Sequence, residues 1–564
     1  MIDLIPGSRI DNRDELADRL SMPRAQVARM GIAELVLEAY QRWGEDCPKY
    51  LLGDFAFVIK DGTRLFLARD PMGVCPLYIG HGDAGFVYGG DVHEVLGHPG
   101  VCAEMSPRAI LTYLITGGFH DPELTLYQQV TKLPAAHSLT VTGSGSGSQQ
   151  RRYWHPAETA RFSGQSSAEY SAQLRELLTD AVRVRLPAEG HIATHLSGGL
   201  DSSAIAALAA SQLDDPARLE AWSWMRPPAS AEEEGDPEWS LARAVADKWN
   251  IPLHFTPFGE RDFLNILQRK PLLDNDSADL WYEFPVREQM RSRGIGIVLS
   301  GWGGDQFISN AGESAYLEGL LSRNALGTLA DLAGLAKNSR RPARAVASLA
   351  RHQLAAPLLD YVRWRLSRAS FNGWGDDGLQ LATPEFQQWA RQFSETIDRL
   401  QPRLRVRGRQ LQELASGTIY NRVEAWAASG ARAGVSYRYP LLDQRIVEFA
   451  LGLPPGQYCG AGKSRRLFRD SMQGYFPAQQ REGVTKREPQ RVQEAYDTMA
   501  SALNRLLLKF PPAPNPWIDV AALQRAAAAL PPPGAALTGE ALTALLSVKR
   551  ATILATLSVD LPHF

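Results

Sequence analysis

Cysteine, net charge and long apolar runs are all scarce in this 564-residue sequence, and each scarcity removes a class of protein. The four cysteines, Cys47, Cys75, Cys102 and Cys459, lie far apart and lack metal-ligand spacing. Neither a disulfide framework nor a thiolate zinc site fits them, and the chain reads as a cytoplasmic protein with reduced thiols. A formal charge of −2 leaves no electrostatic case for nucleic acid or an anionic membrane as partner. No apolar run approaches the ~18 residues of a transmembrane segment. Met1-Ile2-Asp3-Leu4 runs into Pro6-Gly7 and then charged residues, so there is no basic-then-apolar signal segment. What is present is an ordinary globular composition, 44% hydrophobic and 22% charged, in a chain long enough for roughly two or three domains.

The stretch richest in chemistry is Ser197-Gly198-Gly199-Leu200-Asp201-Ser202-Ser203. His191 to Leu196 before it has the length and apolar alternation of a strand, and Ala204 to Ala210 after it is a run of helix formers. A strand-to-helix turn with two glycines lets backbone approach a ligand closely, and the free N–H groups of a helix N-terminus favour phosphate. The serine hydroxyls add donors. Asp201 opposes phosphate by charge alone, so its place in such a cradle makes sense if it holds a divalent cation, most simply Mg²⁺. No Gly-Lys-Ser/Thr follows the turn, which excludes a Walker A loop. A second strand, Ile295 to Leu299, runs into Ser300-Gly301-Trp302-Gly303-Gly304-Asp305, again a glycine turn carrying an aspartate. Read alone, either turn would be a helix cap.

Together the two strings resemble the asparagine synthetase branch of the ATP pyrophosphatase superfamily. That resemblance implies cleavage of ATP between its α- and β-phosphates, with Ser197, Gly198, Gly199, Asp201, Ser202, Ser203, Ser300 and Gly301 around the nucleotide and Asp201 and Asp305 as the Mg²⁺ carboxylates. Trp302 stands where asparagine synthetases have Glu and β-lactam synthetases have Tyr. Indole is a donor only, so Trp302 reads as a wall of the acceptor pocket. Gly434-Val435-Ser436-Tyr437-Arg438-Tyr439-Pro440-Leu441-Leu442-Asp443 resembles a third family string and would pass for a helix-end turn. Gly462 to Arg469 resembles the region holding the family's catalytic lysine, with either Lys463 or Arg465 as the cation that stabilises developing charge; Arg481 and Lys486 are weaker candidates.

The first 155 residues resemble the family's glutaminase domain through Leu52 to Phe57, Ala68 to Gly73 and Pro76-Leu77-Tyr78. The nucleophilic cysteine expected at position 2 is Ile2, Gly7 to Asn12 replaces an Asn-Gly-Glu string, and Ile32 replaces a glutamine-binding Asp. Without a thiolate there is no nucleophile, so this domain is expected to be a relic. Thr142 to Gln150 reads as a flexible Gly/Ser stretch. The expected architecture is therefore α/β, with a degenerate glutaminase-like Ntn-type sandwich over residues 1–155. A doubly wound parallel-sheet synthetase domain follows over 156–564, with a helical insertion at about 315–420 and a helical tail packed on that domain.

With no glutaminase, the attacking nitrogen comes from ammonia or from the substrate. An α-amino group, of reference pKa about 7.7–8.0, needs little help from a base. The chain is thus most similar to the lasso peptide cyclases, which adenylate an Asp or Glu side chain of a core peptide and join it to the peptide's N-terminal amine. This resemblance implies ATP and Mg²⁺, a precursor peptide as substrate and a leader peptidase as partner. A β-lactam synthetase, an ammonia-dependent asparagine synthetase and an inactive binding homologue are the other readings.

Overall fold

The computed structural model of the chain describes residues 1–119, 121–143, 147–226, 237–275, 277–321, 327–331, 350–367, 376–393, 403–460, 463–477, 480 and 489–557, with the single residues 333, 343 and 347. Of the sequence candidates, Gly462, Arg481 and Lys486 lie outside these residues. So do Arg323, Arg340, Arg341, Arg344, Arg368 and Arg399 of the insertion.

The N-terminal region pairs two antiparallel sheets. One runs in the order Ile2–Leu4, Ala56–Asp61, Arg64–Arg69, His137–Thr142, Gly147–Arg152, and the other in the order Gly85–Gly89, Tyr78–Gly82, Val130–Lys132. Strand alternation separates the faces. Ala56, Val58, Leu67, Leu139 and Val141 pack with Leu77 and Leu133, while Phe57, Ile59, Phe66 and Ala68 pack toward Leu35, Val36 and Ala39 of the helix Ile32–Trp43. One sequence expectation fails here. Gly147 to Gln150, read as part of a flexible stretch, lie in the strand Gly147–Arg152, which pairs residue by residue with Thr142 to His137. Its side chains are largely exposed, so what holds it is the backbone ladder, which a side-chain pattern does not register.

The second region is built on a parallel sheet of β1 (Ile192–His195), β2 (Leu219–Ser223), β3 (Leu253–Phe255), β4 (Ile297–Leu299) and β5 (Ser436–Arg438), in the order β3-β2-β1-β4-β5. The chain order reverses between β1 and β4, and ligands of such sheets bind at that switch point beyond the strands' carboxyl ends. Both glycine turns start there. The Gly434 to Asp443 string does open on a helix-end turn, with Gly434 at φ +69° closing the helix Thr418–Arg432, but it continues into Ser436–Arg438 as an edge strand that the sequence did not suggest. Three residues are too few for a period-2 pattern to declare itself.

The two regions are bolted together by charge as well as by apolar packing. Glu424, on the helix Thr418–Arg432, meets Arg69 at 3.0 Å, Lys132 at 3.1 Å, the Tyr78 hydroxyl at 2.9 Å and the Asn275 amide at 2.6 Å. Nearby, Arg185 pairs with Asp443 at 2.8 Å. The C-terminal helices Pro489–Lys509, Val520–Ala528 and Gly539–Ala555 pack on one another and also on Pro107–Thr116 of the N-terminal region, where Arg550 donates to the Ile115 carbonyl at 2.6 Å. The tail therefore braces both regions, where the sequence led to contact with the second alone. Among the described residues no helix is long and apolar enough to cross a membrane. In the insertion the described helices are Ala315–Leu320, Ala356–Ser367, Asp376–Leu379, Pro384–Phe393 and Val406–Ala415.

Candidate active site

The turn after β1 reaches its helix, Leu200–Ala210, through Gly198, whose φ of +72° an L side chain adopts only with strain. Ser202 accepts the Ser197 N–H at 3.2 Å, and the two hydroxyls lie 3.3 Å apart, so the turn is closed on itself. The turn after β4 packs backbone to backbone against it. A Cβ on Gly301 would lie 2.6 Å from the Ser202 nitrogen, and one on Gly304 would lie 2.6 Å from Asp201 Oδ1. These glycines are what allow the two aspartates to share one site. Gly304→Ala is accordingly expected to push the Asp201 carboxylate aside and abolish ATP-dependent turnover with little change in melting temperature, measured by pyrophosphate release beside thermal unfolding.

Asp201 and Asp305 face each other with the Arg465 guanidinium between them, 2.6 Å from Asp305 Oδ1 and 3.6 Å from Asp201 Oδ2. Arg465 reaches this place from a left-handed backbone, φ +57°, at the start of the helix Arg466–Ser471. Lys463 is exposed on the short strand Lys463–Ser464. Of the two cations left open by the sequence, Arg465 is the one brought to the carboxylates. Burial, reinforced by Asp305, pushes the Asp201 carboxyl up to about 7, with Arg465 pulling the other way. Asp201 Oδ1 is buried with no hydrogen-bond partner among the described residues.

This arrangement fits a divalent cation. Two carboxylates converge on a position already taken by a positive group, Asp201 keeps one carboxylate oxygen buried without a hydrogen-bond partner among the described residues, and the donors are hard oxygens. Among the described residues no third His, Cys, Asp or Glu joins them, which suits Mg²⁺, a cation that keeps waters and phosphate oxygens in its shell.

The surroundings of Trp302 and of His195 are aromatic. Trp302 packs edge-on to Tyr439 at 6.3 Å, and His195, at the end of β1, lies among Trp224, Trp426 and Tyr437 at 4.7, 5.3 and 6.0 Å. Glu283 is buried beneath them, taking hydrogen bonds from Tyr437 at 2.8 Å and Trp224 at 2.5 Å and meeting His195 at 2.9 Å. Although burial raises it, the His195 and Arg287 charges and these bonds hold its carboxyl below the usual value. Sequence reading missed Glu283, Trp224 and Gln480, because none belongs to a local string. Ser300 is buried, takes the Arg438 carbonyl on its N–H at 2.9 Å and accepts the Trp302 N–H at 3.2 Å.

In the N-terminal region the Gly7 to Asn12 segment is filled by ion pairs, Arg9 with Asp54 at 2.8 Å and with Asp11. Cys47 and Cys75 are buried, and burial drives both thiols far above the ordinary range. Neither can serve as a thiolate nucleophile.

Residues 173–557 match the family described as asparagine synthase, and residues 4–154 match the glutamine amidotransferase domain. Asparagine synthetase (glutamine-hydrolyzing) 3 of Bacillus subtilis (strain 168) is 32% identical over 213 residues, which is 37% of this chain and 34% of its own length. Amidase chyE of Penicillium rubens is 25% identical over 327 residues, 55% of this chain and 46% of its own. The putative asparagine synthetase (glutamine-hydrolyzing) 2 of Methanocaldococcus jannaschii is 26% identical over 293 residues, 51% of this chain and 54% of its own. The chain thus matches about a third to a half of the length of these relatives.

Proposed function

The chain belongs to the asparagine synthase family, and from that premise we propose that it is an ATP-dependent, AMP-forming amide ligase that closes a peptide on itself. The observation that carries the ligase reading is the meeting of Asp201, Asp305 and Arg465 beside the Ser197–Ser203 turn. In this reading the turn binds the β- and γ-phosphates through its N–H and hydroxyl donors. Asp201 and Asp305 would hold Mg²⁺, which would supply positive charge to offset the phosphates. An Asp or Glu side-chain carboxylate of the substrate attacks that phosphorus, the bond to the β-phosphate breaks, and pyrophosphate leaves. The peptide's own N-terminal amine then attacks the acyl-adenylate carbonyl, AMP departs with the bonding electrons, and an isopeptide macrolactam results. Arg465 stabilises the charge that develops on oxygen.

Three features favour a tethered amine over ammonia. Trp302 offers no base, which favours a nucleophile with an appreciable neutral fraction near neutral pH, as an α-amine of reference pKa about 7.7–8.0 has and a lysine amine has not. Holding amine and acyl group together contributes up to about 7–11 kcal/mol. Cys47 and Cys75 of the N-terminal region are buried, and burial raises both thiols, so neither offers glutamine a thiolate nucleophile. A peptide also needs a surface, and the helix Ala356–Ser367 exposes Leu358, Leu359 and Val362. The natural substrate is then a precursor's core peptide, freed by a leader peptidase.

Two of the relatives are named glutamine-hydrolyzing asparagine synthetases, which supports a second reading, asparagine formation, with free ammonia in place of glutamine here. Pyrophosphate release from Mg·ATP separates the two. Stimulation is expected from a short peptide bearing an Asp or Glu a few residues from its free amine, and none from aspartate with ammonium. Stimulation by aspartate and ammonium alone would overturn the cyclase reading.

A further inference from the structure

Gln480 lies outside every recognisable string, yet it touches the phosphate turn at two points. Its residue is 1% exposed, and Nε2 donates to the Gly198 carbonyl at 2.8 Å and to the Ser203 hydroxyl at 2.7 Å. Gly198 offers a carbonyl there, so the end of the amide facing it is the NH₂ and the orientation follows from chemistry. Two consequences follow for the turn. The Ser203 oxygen receives a proton from Gln480, and its own single proton finds no protein acceptor among the described residues. In a planar trans peptide the carbonyl of one residue and the N–H of the next point to opposite sides. Pinning the Gly198 oxygen toward Gln480 therefore turns the Gly199 N–H the other way.

A further tie connects this clamp to the cation. The Arg469 guanidinium donates to the Gln480 carbonyl through Nη1 and to the Ser464 carbonyl at 3.2 Å through Nε, and Ser464 precedes Arg465. Phosphate turn and cation segment are thus held through one buried amide.

We propose that Gln480 is a positioning residue for the pyrophosphate turn, fixing the donor direction of Ser203 and the peptide plane after Gly198 before nucleotide arrives. This rests on reading Ser197–Ser203 as the pyrophosphate turn. The test is a double-mutant cycle on the full chain, with Mg·ATP and inorganic pyrophosphate as titrants in calorimetry. Gln480→Met, close in shape and without donors, is expected to weaken both ligands on the order of tenfold, the worth of about one hydrogen bond. Ser203→Ala is expected to weaken them similarly, and the double variant by clearly less than the product of the two losses, because the Ser203 contact is shared and only the tie to Gly198 is lost in addition. Losses that multiply would overturn the proposal, because Gln480 would then act independently of Ser203. If Ser203→Ala binds both ligands normally, the reading of the turn fails instead. Gln480→Asn keeps the amide but withdraws it by one methylene. It is expected to repeat the pattern and is the variant to read if Gln480→Met unfolds early.

Discussion

Asp201→Asn is expected to lower ATP-dependent pyrophosphate release about a thousand-fold, in line with losing a charge aimed at the reacting phosphates, and to do so without lowering the melting temperature. The substitution keeps the shape and removes the charge. That charge is costly to the fold, because the carboxyl is largely buried beside Asp305, and its pKa is pushed up to about 7. The sign of the linkage follows. A carboxyl whose folded pKa exceeds its unfolded value binds its proton more tightly when folded, so its contribution to stability falls as pH rises through about 7. Asp201→Asn is therefore expected to gain in melting temperature relative to the parent above pH 7 and to lose that gain toward pH 5. Asp305→Asn, at the other carboxylate in contact with Arg465, is expected to lose activity just as severely. Near-normal turnover in either variant, measured by pyrophosphate release at saturating ATP, contradicts the site.

Glu424→Ala carries the largest expected cost to stability, about 3–5 kcal/mol, the usual result of stripping the partner from buried charges. Arg69, Lys132 and Glu424 are each at most 3% exposed at the side chain. Arg69 keeps three carbonyl acceptors, those of Gly73, Cys75 and Leu133. For Lys132 the Glu424 carboxylate is the counter-charge in contact, at 3.1 Å, and burial already pulls its ammonium below the usual value. Losing Glu424 therefore strands the lysine, the Tyr78 hydroxyl and the Asn275 amide at the junction of the two regions. The attraction of Lys132 and Arg69 outweighs burial and holds the Glu424 carboxyl below its ordinary value, so its contribution is complete above about pH 4.5 and is lost only as the medium becomes more acid than that. Chemical unfolding of the parent and variant at neutral pH is the check. A difference under about 1 kcal/mol, the worth of an exposed pair, would mean that the cluster is solvated.

How much of this could be read from residues alone depends on how local each feature is. The two glycine turns were legible because a strand end, a turn and a helix start fall within about a dozen consecutive residues, and their shared design put Asp201 and Asp305 in one site before any coordinates. The strand patterns before the two turns likewise placed β1 and β4. Gly147–Arg152 was not legible, because its pairing is through backbone, nor was Ser436–Arg438, which is too short for a pattern. The choice between Lys463 and Arg465 turned on a left-handed backbone at Arg465, a conformation that arginine does not advertise. Gln480 and Glu283 act across 277 and 88 residues of sequence respectively. Only the folded chain brings them to the phosphate turn and the aromatic surroundings of His195.

The most direct test of the central claim is the mass of the product formed from Mg·ATP and a peptide carrying one Asp or Glu and a free N-terminus. The account predicts a product lighter than the peptide by one water, with the terminal amine no longer reactive toward acylating reagents and AMP released in equal amount. An unchanged peptide, alongside asparagine formed from aspartate and ammonium by the same preparation, would contradict it.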